Sequence, residues 1–202
     1  MEFIGTFFLV LVIGLCVVGI GAGAMAPLAI GTILTVMVYA GGHISGAHYN
    51  PAVTLAVWMR GKCETHDVPG YMAAQFIAAI AAALLVGYFK HGELVVTSDP
   101  NIFHALLAEF IFTFALAFVV LNVATAKGTA GNSFYGLAIG FTVMASIYAV
   151  GPISGGVFNP AVALGITLMG LSKGQMLWVF LVGNFAGGAL AAVVFKYINP
   201  QD

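Results

Sequence analysis

Two asparagines, Asn50 and Asn159, have the most specific sequence setting of any polar residues in the chain. Each opens an Asn-Pro-Ala-Val tetrapeptide, and the second lies 109 positions after the first. Proline needs no amide donor in the first turn of a helix and asparagine is a preferred N-cap, so a capped helix should begin at Pro51 and at Pro160. Such a helix start offers hydrogen-bond donors and positive potential. The pattern therefore predicts two capped helix starts, each of which presents N–H donors and a positive helix end. The predicted motif residues are Asn50, Pro51, Ala52, Asn159, Pro160 and Ala161.

Glu2 and Glu109 are the next candidates, because residues 1–7 and 108–114 align at an offset of 107. An ionisable group inside a membrane needs a partner. One interpretation is a proton relay, and the other is a structural acceptor for loop N–H groups. The duplication favours the acceptor, because each half would need one. A matched pair of amides is interpreted as hydrogen-bond anchors between helices. The predicted loop-supporting set is Glu2, Glu109, Gln75 and Asn184.

The remaining polar residues do not form a reactive set. His43 and His48 are five residues apart with no carboxylate or cysteine beside them, which is poor ligand geometry, so structural hydrogen bonding is favoured. Cys16 lies in an apolar run and Cys63 in a polar loop, which predicts no disulfide. We find no nucleophile–base set, phosphate loop or carboxylate pair. We therefore expect no catalytic residue, no metal and no cofactor.

Composition indicates the class of protein. Of 202 residues, 61% are hydrophobic and 6% are charged, with a mean hydropathy of +1.07. Soluble domains carry about 25% charged residues, so this chain cannot cover a surface that faces water. The apolar runs are too long for the alternating segments of a membrane β-barrel. The sequence predicts an all-α integral membrane protein, and its net charge of −1 argues against a nucleic-acid partner.

Six apolar stretches are long enough to span a core of about 30 Å. Two more, which follow the asparagines, are long enough for only half of it. The N-terminal stretch has no basic flank and recurs later in the chain, so it is expected to be retained rather than cleaved as a signal peptide. The predicted spans are 3–20, 26–41, 70–90, 104–125, 133–150 and 174–196, and the half-spans are 51–59 and 160–169.

The matched blocks occur in the same order in both halves, so the chain reads as one domain, 1–202, built from repeats 1–98 and 99–202. Each repeat has three spans. Because three is odd, the second repeat must enter the membrane from the opposite side. The two half-helices then meet near the midplane. Small residues at matched positions predict close helix crossings. They are Gly183, Gly187 and Gly188 in the last span, opposite their counterparts Ala74, Ala78 and Ala79 in the third.

With its two Asn-Pro-Ala motifs, and with Glu2 and Glu109 opening their spans, the chain resembles the aquaporin family over its whole length. The resemblance implies six transmembrane helices and two re-entrant half-helices in an inverted 3+3 repeat. It also implies homotetramers in which each protomer has its own pore. The expected partners are water, small uncharged solutes and membrane lipid, with protons and ions excluded.

Irregular backbone inside a membrane must be buried or line a wet cavity, so the loops 42–49 and 151–158 are expected to line the pore. The resemblance implies two ladders of pore carbonyls. The ladder residues are Gly46, Ala47, His48, Tyr49, Gly155, Gly156, Val157 and Phe158. Asn50 and Asn159 should point amide donors into the pore centre.

The resemblance places a selectivity filter at Ile30, Ile147, Gly156 and Val162. Water-selective relatives carry Phe, His, a small residue and Arg there. The ring in this chain is apolar throughout, which is similar to tonoplast-type plant channels. Glycerol channels usually keep the Arg and follow it with Asp, whereas this chain has Ala163. Val at the Arg position removes fixed donors and a cation barrier.

The sequence thus predicts a passive channel for water and other small neutral solutes, namely urea, ammonia and hydrogen peroxide, with glycerol as a further candidate. A channel for neutral solutes or gases with poor water conduction is the alternative, because a narrow apolar ring can dewet. A secondary transporter, which can also have an inverted repeat, is a weaker alternative. The predicted location is a bacterial inner membrane, crossed several times, with both termini cytoplasmic.

Overall fold

The computed structural model describes residues 1–202 and contains eight α-helices and no β-sheet. The helices are α1 (Glu2–Val17), α2 (Ala26–Ser45), α3 (Pro51–Met59), α4 (Val68–Phe89), α5 (Ile102–Val120), α6 (Tyr135–Ser154), α7 (Pro160–Leu168) and α8 (Leu177–Ile198). A π-helical turn, Leu121–Thr125, extends α5. The all-α membrane fold predicted from the sequence is therefore confirmed.

Five helices are long and apolar enough to cross a membrane, namely α2, α4, α5, α6 and α8. The first predicted span is shorter than expected. Helix α1 has 16 residues, a rise of about 24 Å, and ends at Val17 instead of residue 20. Gly19 follows with φ +63°, a left-handed conformation that breaks the helix. The two half-helices α3 and α7 have nine residues each, a rise of about 14 Å, which is half of a membrane core.

The two repeats pack by the same rules. Helix α1 packs against α4, as α5 packs against α8, and α2 crosses its counterpart α6. Each half-helix lies mainly against a span of the other repeat, α3 against α8 and α7 against α4. The repeats therefore interlock and share one core.

The loops before the half-helices are shorter than predicted. Helices α2 and α6 continue to Ser45 and Ser154, four residues past the expected ends, with Pro152 inside the last turn of α6. Gly46 (φ +82°) and Gly155 (φ +98°) end these helices in the left-handed conformation. The irregular segments are only 46–50 and 155–159.

The small residues of the last span mark close crossings, as predicted, but α4 and α8 use theirs in separate interfaces. A Cβ on Gly188 would lie 2.6 Å from the carbonyl oxygen of Ala52 in α3, and one on Gly187 would lie 2.4 Å from that of Phe110 in α5. Ala78 and Ala79 are fully buried in α4, which packs on α1 and α7.

We call the two membrane faces the terminal face and the vestibule face. The terminal face carries Met1 and the ends of α3 and α8, where Arg60 and Asp202 form an ion pair at 2.9 Å. The vestibule face carries the connection between α4 and α5, residues 90–101.

Candidate functional site

Asn50 and Asn159 cap the two half-helices in matching geometry. Both have extended backbone, with φ −157° and −156°. The Oδ1 atom of Asn50 accepts from the N–H groups of Ala52 (2.8 Å) and Val53 (3.4 Å). The Oδ1 atom of Asn159 accepts from those of Ala161 (2.9 Å) and Val162 (3.4 Å). The acceptor side of each amide is thus used locally, which leaves the Nδ2 donors to face elsewhere.

Each Nδ2 atom reaches across to the other repeat. The Asn50 amide donates to the carbonyl oxygen of Phe158 at 2.8 Å, and the Asn159 amide donates to that of Tyr49 at 2.9 Å. These reciprocal bonds join the two loops at the centre of the molecule. An amide NH2 has two hydrogens, so one N–H of each asparagine is not used by these bonds.

A cavity of about 520 Å3 runs beside both asparagines. Most of its wall is apolar, from side chains of α1, α2, α5 and α6 that include Leu9, Leu34, Leu116 and Val143. One side is polar, because the loops before the half-helices border it. Of the eight predicted ladder residues, six line the cavity and two, Gly46 and Phe158, do not. The lining ones are Ala47, His48, Tyr49, Gly155, Gly156 and Val157.

The carboxylate of Glu2 holds the first loop through four donors. It accepts from Ser45 Oγ (2.6 Å), the N–H groups of His48 (3.0 Å) and Tyr49 (2.7 Å), and Gln75 Nε2 (2.7 Å). Glu2 is 4% exposed and does not line the cavity. Its two oxygens are committed to loop donors, which is the geometry of a structural acceptor.

Glu109 does the same for the second loop with three donors. It accepts from Ser154 Oγ (2.7 Å) and from the N–H groups of Val157 (2.9 Å) and Phe158 (2.7 Å). The amide Asn184, which is one methylene shorter than Gln75, makes no bond to Glu109 and accepts instead from Thr113 Oγ1 at 3.0 Å.

The two histidines lie in different settings. His48 is buried, and its Nδ1 atom lies 3.2 Å from Thr54 Oγ1. The side chain of His43 is exposed near the end of α2 and makes no hydrogen bond within the chain. The predicted structural hydrogen bond is therefore present for His48 and absent for His43, because His43 lies on the outer side of α2.

The four predicted filter residues lie around the cavity; we call them the vestibule ring: Ile30, Ile147, Gly156 and Val162. Ile30 and Val162 are each 4% exposed, and Ile147 and Gly156 are half-buried. A Cβ on Gly156, which has φ +68°, would lie 3.3 Å from Ile147 Cα. The ring has no polar side chain.

Sequence reasoning missed two residues at the mouth of the cavity, Val96 and Ser98 in the connection between α4 and α5. This connection is tied down by backbone and hydroxyl bonds to residues that follow α7. Ser98 N donates to Leu171 O at 3.0 Å, and Thr97 Oγ1 donates to Gly170 O at 2.7 Å. The segment has no helical or strand periodicity, so only the fold brings it to the cavity.

Comparison with known proteins agrees with this geometry. The sequence model described as "Major intrinsic protein" matches residues 1–195. Aquaporin NIP1-4 of Oryza sativa subsp. japonica is 39% identical over 208 residues, which cover 98% of this chain and 75% of the relative. Putative aquaporin NIP4-1 of Arabidopsis thaliana is 36% identical, with 100% and 74% covered.

The fold is also that of a solved structure. The aquaglyceroporin from Plasmodium falciparum superposes with a TM-score of 0.82 at 22% identity, and the match covers 98% of this chain and 95% of that one. Because the family match extends over nearly the whole sequence and the fold agrees, the chain belongs to the major intrinsic protein family and is a membrane channel for small solutes.

Proposed function

We propose that the channel conducts water and small uncharged solutes, namely urea, ammonia and hydrogen peroxide, with glycerol as the largest candidate. The observation that carries this proposal is the asparagine pair beside the 520 Å3 cavity, whose other walls are apolar. A solute in such a passage finds donors at one point and weak contacts elsewhere, so it is oriented without being held.

Exclusion of protons and ions is assigned to the same point. Each asparagine has one Nδ2 hydrogen left after its bond across the repeats. Two donors fix a water molecule by its oxygen, which prevents it from relaying a proton along the file. The N-termini of α3 and α7 add positive potential there, which repels hydronium and cations.

The apolar vestibule ring supports broadened selectivity, since Val162 stands where the resemblance to water-selective channels implies an arginine. A similarity of this ring to tonoplast-type channels stays a prediction. The same ring favours a second candidate function, a channel for neutral solutes or gases that conducts water poorly. The ring has no polar side chain to hold water, and an apolar ring can lose its water.

Stopped-flow light scattering of proteoliposomes tests the first function against the second. We expect water permeability well above that of empty vesicles, with urea measured in a parallel gradient. Water permeability equal to that of empty vesicles, together with rapid urea entry, would favour the second function. A trapped pH dye should show no proton leak, and a leak in the wild-type protein would contradict the role given to the asparagines.

Val162→Arg tests the position of the ring. A guanidinium fills the lumen and adds fixed donors, so we expect urea entry to fall while water permeability persists. Unchanged urea entry would mean that Val162 does not border the path. The matched control is Val86→Ala, which changes a buried residue of α4 outside the cavity.

We also propose both termini in the cytoplasm of a cell whose inner membrane holds the channel, and a homotetramer. Four of the six cationic residues, Arg60, Lys62, Lys127 and Lys196, are assigned to the terminal face, which the positive-inside rule makes cytoplasmic. Labelling of Lys62→Cys and Lys90→Cys variants, made in a chain whose native Cys16 and Cys63 are replaced by serine, with an impermeant maleimide in sealed cells checks the orientation. Reaction of the Lys62 variant alone would reverse it.

A further inference from the structure

The inverted repeat gives the vestibule ring a counterpart at the other end of the cavity. Subtracting or adding the repeat offset of 109 maps its members to Val38, Ile139, Ala47 and Val53, which we call the terminal ring. All four are apolar. Ala47 replaces Gly156 and so adds a methyl group, while Val38 replaces Ile147 and removes one.

The terminal ring borders the same passage. Ile139, Ala47 and Val53 line the cavity. Val38 follows Ile30 and Leu34 on one face of α2, because residues four apart on a helix lie above one another. Ile30 and Leu34 both line the cavity, whereas Val38, one turn further on, does not. On α2 the lining of the cavity therefore ends at Leu34, one turn before Val38.

The terminal ring is also the more closed of the two. Its members are between 2% and 6% exposed, whereas Ile147 and Gly156 of the vestibule ring are half-buried. On the vestibule face the lining of the cavity extends to residues such as Gly23, Val96 and Ser98. The next aromatic pair beyond the terminal ring, Tyr39 and Tyr135, does not line the cavity.

The terminal ring is held rigidly. Ala47 has φ +53°, a conformation unusual for a residue with a side chain, and its N–H bonds Ser45 Oγ at 3.3 Å. The N–H groups of the two residues after it bond the carboxylate of Glu2. The rings of Tyr39 and Tyr135 meet edge to face, 5.2 Å apart, and join α2 to α6 behind Val38 and Ile139. These contacts restrain the backbone at Ala47 and the distance between α2 and α6.

We propose that the terminal ring, and not the vestibule ring, is the narrowest point of the pore and sets the size limit for neutral solutes. The proposal rests on the channel function above and adds where that channel discriminates. Water and urea pass the four apolar side chains of this ring more readily than glycerol, the largest of the proposed solutes, which is slowed there. The vestibule ring then acts as a wider entrance.

The experiment compares the two rings in proteoliposomes with glycerol, urea and water gradients. Val38→Ala removes two methyl groups, and Ala47→Gly copies the residue of the vestibule ring while relieving a strained φ. We expect each to raise glycerol entry relative to water by about tenfold. Ile147→Ala at the vestibule ring, which also lines the cavity, should raise this ratio by less than either variant of the terminal ring. Val86→Ala is the control for general loosening of a buried helix interface.

Several outcomes decide the proposal. A rise in the glycerol ratio with Ile147→Ala, and none with Val38→Ala or Ala47→Gly beyond that of Val86→Ala, would overturn it. If the wild-type protein passes no solute but the Val38→Ala variant does, the terminal ring is supported as the narrowest point. The proposal that the wild-type channel conducts water and small solutes is then contradicted. If the wild-type protein and all variants are folded but pass neither water nor solute, both the conduction proposal and the terminal-ring proposal are contradicted.

Discussion

The two halves of the molecule hold their pore loops with the same acceptor but with different support. In each half a buried glutamate of the first span accepts from a serine hydroxyl and from two consecutive backbone N–H groups. Only in the first half does an amide side chain also contribute. Gln75 Nε2 donates a fourth hydrogen bond to Glu2, and it donates to Thr54 Oγ1 at 3.0 Å as well. In the second half Ala163 and Asn184 occupy those places, and neither reaches Glu109.

The comparison distinguishes the glutamate acceptor, which both halves have, from the side chains around it, which differ between the halves. Backbone N–H groups inside a membrane have no bulk water to bond, so each loop needs an internal acceptor, and this part is duplicated. The side chains around the acceptor brace it without satisfying the backbone. They can differ between repeats, and the second half is predicted to depend more on its glutamate.

The largest expected effect tests this dependence directly. Glu109→Gln places an amide NH2 against the N–H of Phe158, or against Ser154 and Val157, and strands a buried donor. We expect it to cost about 3 kcal/mol. Glu2→Gln also takes the acceptor from the N–H of Tyr49, but it should cost less, about 2 kcal/mol. The Gln75 side chain can turn its Oε1, which has no partner in the wild-type protein, toward the new NH2.

Thermal unfolding in detergent, followed by circular dichroism, measures both variants against the wild type. A double variant, Glu2→Gln with Gln75→Ala, supplies the control, since it removes the rescuing amide and should bring the first half to the cost of the second. Equal losses for the two single variants would show that Gln75 gives no protection.

A second test concerns the close approach of the half-helices. Gly188 of α8 lies against the backbone of α3, where a methyl group would sit 2.6 Å from a carbonyl oxygen, whereas its counterpart in the first half is already an alanine, Ala79. Gly188→Ala should therefore destabilise the fold by about 2 kcal/mol through overpacking. Gly87→Ala is the matched control, because nothing lies within 4 Å of its added Cβ. It should raise stability by about 0.5 to 1 kcal/mol through helix propensity alone. The two shifts in melting temperature should have opposite signs, and a shared sign would contradict the difference between the halves.

The smallest expected effect comes from making the first half resemble the second. Thr54→Ala removes the hydroxyl that meets Gln75 and His48, and leaves alanine where the second half has Ala163. We expect a loss of about 1 kcal/mol beyond that of Thr167→Ala, whose hydroxyl bonds only a carbonyl of its own helix. Urea-induced or thermal unfolding of the two variants gives the difference. If they are equal, the bracing around Glu2 contributes nothing measurable.

Much of the fold followed from local sequence. The Asn-Pro pair predicts the start of a helix from two residues alone. Its repetition at a fixed offset predicts the inverted repeat. Helix ends were less predictable. The chain continues as helix through Gly42 and Pro152, residues typical of turns, because the left-handed glycines at 46 and 155 come later.

The parts of the site that depend on three dimensions were out of reach. Nothing near Asn50 indicates that its Nδ2 hydrogen bonds a carbonyl 108 residues away. Val96 and Ser98 reach the cavity only because the connection before α5 is bonded to residues 170–172. Such pairings depend on tertiary placement, which no local pattern encodes.

The reciprocal bonds of the two asparagines have a consequence for biosynthesis. A nascent chain inserts its first repeat before the second has been translated, yet the carbonyl of Tyr49 waits for an amide 110 residues downstream. Until the second repeat is in place, the Tyr49 carbonyl lacks its donor and the Asn50 amide lacks its acceptor. Leaving both groups unpaired inside the bilayer would cost several kcal/mol. We expect the newborn first repeat to keep its loop in the water-filled translocon or at the membrane surface. We therefore expect the passage to take its final form only after both halves have been inserted.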